Sequence, residues 1–155
     1  DRYRRGLYTF FQRTSPHPML ALFDAPESTF SCVRRERSNT PLQALTLWND
    51  PIFFESAAAF ARRIIREARK DDTFMAALRI AFGHALSRAP SEREHYILEQ
   101  LYRETKKAYA EEPALLEKVV KSAGKPPADV PTADWAAWVS IARALINLDE
   151  MITRN

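Results

Sequence analysis

A chain of 155 residues, 46% hydrophobic and 28% charged, is long enough to bury a core in one domain without a metal or a disulfide. Its three glycines stand too far apart for a dinucleotide fingerprint or a P-loop, and its single cysteine, Cys32, excludes an intrachain disulfide and a c-type haem attachment motif. The net charge of +3 is too small a field to favour nucleic acid, and no apolar run approaches the roughly 18 residues of a membrane span.

The charge is unevenly placed. Residues 1–40 hold seven arginines against four acids, whereas residues 41–155 balance 16 bases against 16 acids. The excess is therefore all arginine, the side chain best suited to bidentate pairing with carboxylate or phosphate. With Pro16, Pro18 and Pro26, residues 1–40 read as an irregular layer. Within it, Gly6 to Gln12 is ambiguous between strand and helix, Pro18 to Phe23 suits one helical turn, and Thr29 to Val33 has β character. A short ribbon pairing residues 7–11 with 29–33 is one outcome.

Residues 41–152 read as helices. Thr40-Pro41-Leu42-Gln43 is a capping box that opens a helix to about Trp48. Asn49 suits a left-handed stop, Asp50 caps and Pro51 begins the next helix. That helix runs to about Lys70 and places Phe53, Ala57, Phe60, Ala61, Ile64, Ile65 and Ala68 on one face. A third, over about 72–86, carries Phe74, Leu78, Ala81, Phe82 and Ala85, with Asp71 and Asp72 as cap candidates. After a break at Leu86 to Pro90, Ser91 to Glu94 form a second capping box. The helix behind it carries Ile97, Leu98, Leu101, Tyr102 and Ala108. Pro113 starts a shorter helix through Leu116 and Val120, and Gly124 to Pro131 is a loop. Thr132 is expected to cap a last helix from Ala133 to about Met151. That helix is apolar on most sides and so central. The fold class is all-α: one domain, a bundle of about five to six helices under an arginine-rich N-terminal layer.

The stretch RRGLYTFFQRTSPHPMLALFDAPESTFSCVRRERSNTPLQALTLWNDPIFFESA resembles the C-terminal domain of large planctomycete-type exported proteins. In those proteins it follows a cytochrome-c-like segment and a separate domain of unknown function. ARALINLDEMITRN resembles the usual last residues of that family, so the resemblance covers nearly the whole chain, and the family domain is expected to begin well upstream of Asp1. It implies a bacterial parent protein exported to the periplasm or cell surface, with a c-type haem elsewhere in that parent and no cofactor in this stretch. No catalytic residue comes with it. Neighbouring genes for sulfatase- or phosphatase-like proteins hint at polysaccharide breakdown by association only.

Chemistry-bearing residues are sparse. His17, His84 and His95 lack metal-ligand spacing and suit the surface or helix ends. Cys32 is expected to be a packed thiol. Asp24, Glu36 and Asp50 would form an acid/base pair only if two came within roughly 5–10 Å. Their structural readings are a turn residue, an ion-pair partner and an N-cap. Arg34, Arg35, Glu36 and Arg37, with Asn39 and Asp24, are the candidates for docking or ligand contact, beside the anion-friendly helix start at Pro41. The competing reading is a network tying the layer to Asp24, Asp149 or Glu150. Tyr8, Phe10, Phe11, Phe23, Phe30 and Trp48 suit a sugar-stacking platform or, more often, core.

The expectation is a non-catalytic structural or interaction module. It would dock on the upstream part of its own parent chain or on a partner protein, and would expose apolar surface where that partner belongs. The alternative is an enzyme or glycan-handling module acting on polysaccharide, with a pocket in the 24–50 region.

Overall fold

A helix that is apolar on most of its sides becomes the centre of the molecule. The computed structural model describes residues 5–12, 14–26, 31–34, 38–68 and 73–153. Among them lie a 3₁₀ turn, Gly6–Tyr8, and the helices α1 (Pro18–Leu22), α2 (Pro41–Asn49), α3 (Pro51–Ala68), α4 (Phe74–Leu86), α5 (Glu92–Glu111), α6 (Pro113–Ala123), α7 (Thr132–Ile146) and α8 (Asp149–Ile152). Since α1 and α8 are single turns, the six helices α2 to α7 make the all-α bundle.

Helix α7 buries Trp135, Ala136, Ala137, Trp138, Val139, Ile141, Ala142 and Leu145, and packs chiefly against α3 and α5. Alanines make the close approach possible. Ala57, Ala58 and Ala61 on α3 and Ala136, Ala137 and Ala142 on α7 are fully inaccessible. Small side chains at a crossing let two axes approach to about 8 Å. Phe82, Ile64 and Leu78 fill the remaining space. Each such side chain contributes about 1.5–3 kcal/mol by leaving water. Helix α5 covers this core with Leu98, Leu101 and Tyr102. Ile97, expected on that stripe, is 52% exposed. The inward face instead follows the residues adjoining it.

Several helix ends differ from expectation for local reasons. Asn49 is not a left-handed stop; it is the last residue of α2, and Asp50 leaves in extended backbone with φ −73° and ψ 131°. A residue before proline avoids the helical region, so Pro51 enforces that exit unaided. Thr73, rather than Asp71 or Asp72, caps α4, its hydroxyl accepting from Ala76 N–H at 3.2 Å. Both aspartates lie outside the described residues. Pro131, rather than Thr132, is the N-cap of α7, because Trp135 N–H already reaches the Pro131 carbonyl at 3.1 Å. The last helix does not run unbroken to Met151. Asn147 N–H is shared between the Arg143 and Ala144 carbonyls, and Leu148 is extended (φ −71°, ψ 143°) before α8 begins.

The ribbon of residues 7–11 with 29–33 is not formed among the described residues. No strand occurs among the described residues, and the one bridge joins Gln12 to Ser15. Thr9 closes the 3₁₀ turn by bonding the Gly6 carbonyl through both its N–H and its hydroxyl. A Cβ on Gly6 would stand 2.7 Å from Leu20 Cδ2, the end of a flexible side chain, so this turn lies close against α1. Residues 29 and 30 of the partner segment lie outside the described residues.

Polar ties lock the ends of the bundle. Arg62 reaches from α3 to the Ala123 and Lys125 carbonyls at the end of α6, where Gly124 holds φ +82°, and lies 5.2 Å from the Trp135 ring. Arg88 bonds both Glu94 and Glu150, joining the start of α5 to α8.

Candidate functional site

Helix α2 is inverted relative to an ordinary surface helix. Its buried residues are Gln43 and Leu47, while Leu42 is 59%, Leu45 57% and Trp48 42% exposed. At three-residue spacing these side chains form one outward stripe. The nine residues PLQALTLWN carry no charge at all. A helix facing only water ordinarily carries charge on that side.

Gln43 explains the inversion. Its Nε2 donates to the Leu22 carbonyl at 2.8 Å, to Ser38 Oγ at 3.0 Å and, longer, to Asp24 Oδ2 at 3.4 Å. Its Oε1 accepts from Thr40 N–H at 2.9 Å, completing the capping box. A buried amide is tolerated when it is this fully bonded. The glutamine thus joins the N-terminal layer to α2, and with it fixes which face of α2 looks outward.

Arg143 sits at the end of the stripe. From the last turn of α7 it lies 4.2 Å from the Trp48 ring centroid and 4.9 Å from that of Phe54, and its Nη2 donates to the Trp48 carbonyl at 2.5 Å. Its Nε is buried without a partner, and among the described residues no carboxylate pairs with it. Burial lowers its pKa, with an opposing contribution from Tyr109.

The residues singled out from sequence fall differently. Asp24 stands at the foot of the layer with φ +55°, its Oδ2 accepting from Ser38 N–H at 2.8 Å and Ser38 Oγ at 2.7 Å. Asn39 donates to Asp149 Oδ1 at 2.5 Å, tying the layer to α8. Asp50 accepts from Ile52 N–H at 2.8 Å as the N-cap of α3. Arg34 is exposed, and Arg35, Glu36 and Arg37 lie outside the described residues. Cys32 is not a packed thiol. It is exposed, its Sγ 3.1 Å from the Arg34 carbonyl. Of the aromatic set, Phe23 packs edge-on against Phe53 at 5.7 Å, but Tyr8 and Phe10 are 64% and 87% exposed, so these two are not core. Phe30 lies outside the described residues.

A cleft of about 740 Å³ opens elsewhere, between α3, α4, α5, α7 and the loop before α7. Tyr102 and Lys106 both bond Asp134 Oδ1 there, at 2.6 and 2.5 Å. Phe74 stacks on Trp138 at 5.3 Å across its floor. None of the described 24–50 residues lines it.

Leu42, Leu45 and Arg143 were not singled out from sequence, and Trp48 only as one ring among six. Two signals mark them: a helix without charge, and a lone arginine in the otherwise uncharged run from Trp135 to Leu148.

The sequence model of a family described as "PSD1: Protein of unknown function (DUF1553)" matches residues 1–102. The resemblance at residues 142–155 falls outside that match. No curated protein and no solved structure matches the chain.

Proposed function

We propose that this chain, which belongs to the DUF1553 family of proteins of unknown function, is a non-catalytic docking module. In this reading it forms the C-terminal part of an exported, haem-bearing bacterial protein, and the outer face of α2 seats it on the rest of that parent or on a partner protein. The observation that carries the reading is the inverted helix: a buried glutamine inside, and Leu42, Leu45 and Trp48 in water. With these three side chains about half exposed, each forgoes about 1 kcal/mol, roughly half the value of full burial, a cost that burial against a partner removes. The exported and haem-bearing context rests on the sequence resemblance alone.

Limited proteolysis of the parent protein tests the docking. Replacing Leu42 and Leu45 by serine should speed release of the module at least several-fold, and an unchanged release rate would count against the reading. A haem stain on the secreted parent polypeptide tests the context. A haem-free parent retained in the cytoplasm would remove it.

A further inference from the structure

The occupant of the α2 face has a chemistry that the arginine beneath it selects. We infer that the stripe Leu42, Leu45 and Trp48 receives an acidic amphipathic protein segment, whose apolar side chains cover the stripe and whose carboxylate pairs with Arg143. This rests on the docking reading above and adds the charge of the partner to it.

Three observations point the same way. The stripe runs six residue steps along a helix, from Leu42 to Trp48, roughly 9 Å, which suits the ridge of another helix better than a small molecule. Arg143 stacks on the ring of Trp48 and bonds its carbonyl, so it belongs to the same surface. Its guanidinium has no carboxylate among the described residues, and its Nε is buried without an acceptor. A partly buried cation without an anion is costly, and a carboxylate arriving with the partner relieves that cost in a setting drier than bulk water. A basic or neutral segment would leave Arg143 without a counter-ion.

The test uses the 155-residue chain and two synthetic helical peptides. The peptides share a leucine face and differ only in carrying glutamate or lysine beside it. Fluorescence anisotropy at low salt should show the glutamate peptide binding at least tenfold more tightly. Leu42→Ser/Leu45→Ser should weaken that binding tenfold or more. Arg143→Gln should bring the two peptides to within about twofold of each other, with circular dichroism confirming that both variants stay folded. If Arg143→Gln fails to fold, Arg143→Lys serves: it keeps the charge and loses the fork, so it should retain only part of the preference. Equal binding of both peptides, lost in the serine variant, overturns the acidic partner and leaves the docking face standing. Binding of neither peptide overturns this inference, and the docking reading is then judged by proteolysis of the parent. A chain that dimerises through this face, and becomes monomeric in the serine variant, assigns the face to a second copy and also overturns it.

Discussion

At the scale of single residues, two side chains carry more of the fold than their neighbours. Gln43 holds the N-terminal layer with one buried amide. Gln43→Leu keeps the volume but leaves the Leu22 carbonyl and Thr40 N–H without their partner. A loss of about 2–3 kcal/mol is expected in urea denaturation, the cost of buried polar groups left unmade. Arg88 acts through charge. Its hydrogen bonds, first among the causes, hold the Glu94 carboxyl down from 4.5 to about 2, and they lower Glu150 as well. A carboxylate with a depressed folded value contributes stability that is present above its unfolded value and lost as pH falls through the folded one. The melting temperature should therefore fall between about pH 4.5 and pH 2, and the fall should be shallower in Arg88→Met. Part of the slope should survive that substitution, because His84 and Arg63 hold the Glu67 carboxyl down to about 2 independently of Arg88.

Among the elements, helix starts dominate. Ser91 accepts from Glu94 N–H while the Glu94 carboxylate accepts from Ser91 N–H, and Thr40 and Gln43 do the same for α2. Ser91→Ala should cost about 1 kcal/mol in thermal or chemical denaturation, with amide exchange faster in the first turn of α5. Both boxes are legible in the sequence because capping is local: every participant lies within three residues. The helix count and the central place of α7 are legible for a related reason, since apolar periodicity over fifteen residues leaves few alternatives. The misread ends depend on more than local pattern. Asp71, Asp72 and Thr73 all make good caps, and only the packing of α4 selects Thr73. The break at Leu148 comes from the docking of α8, which Arg88 holds through Glu150 from far away in the chain. The orientation of α2 was hidden in the same way. PLQALTLWN carries no charge, and Gln43, Thr46 and Asn49 at three-residue spacing would ordinarily mark its outward side, so its period points the wrong way. A buried hydrogen-bonded glutamine decides it, and its partners at Leu22 and Ser38 are 21 and 5 residues away.

Across the whole molecule, a tight core contrasts with an unfinished surface. On α3, which packs against α7, Ala61 is fully buried in the core. Ala61→Leu should destabilise the chain by about 1–3 kcal/mol, since the crossing has no room for a larger side chain. The opposite is expected on the outer face of α2, where Leu42 and Leu45 already stand in water. Leu42→Ser/Leu45→Ser should change stability by no more than about 0.5 kcal/mol. That contrast separates residues that hold the module together from those that attach it to something else. The most direct measurement is the equilibrium affinity of this chain for the remainder of its parent protein, wild type against Leu42→Ser/Leu45→Ser, with melting temperatures recorded alongside. The docking account predicts an unchanged melting temperature and an affinity at least tenfold weaker; equal affinities at equal stability would contradict it.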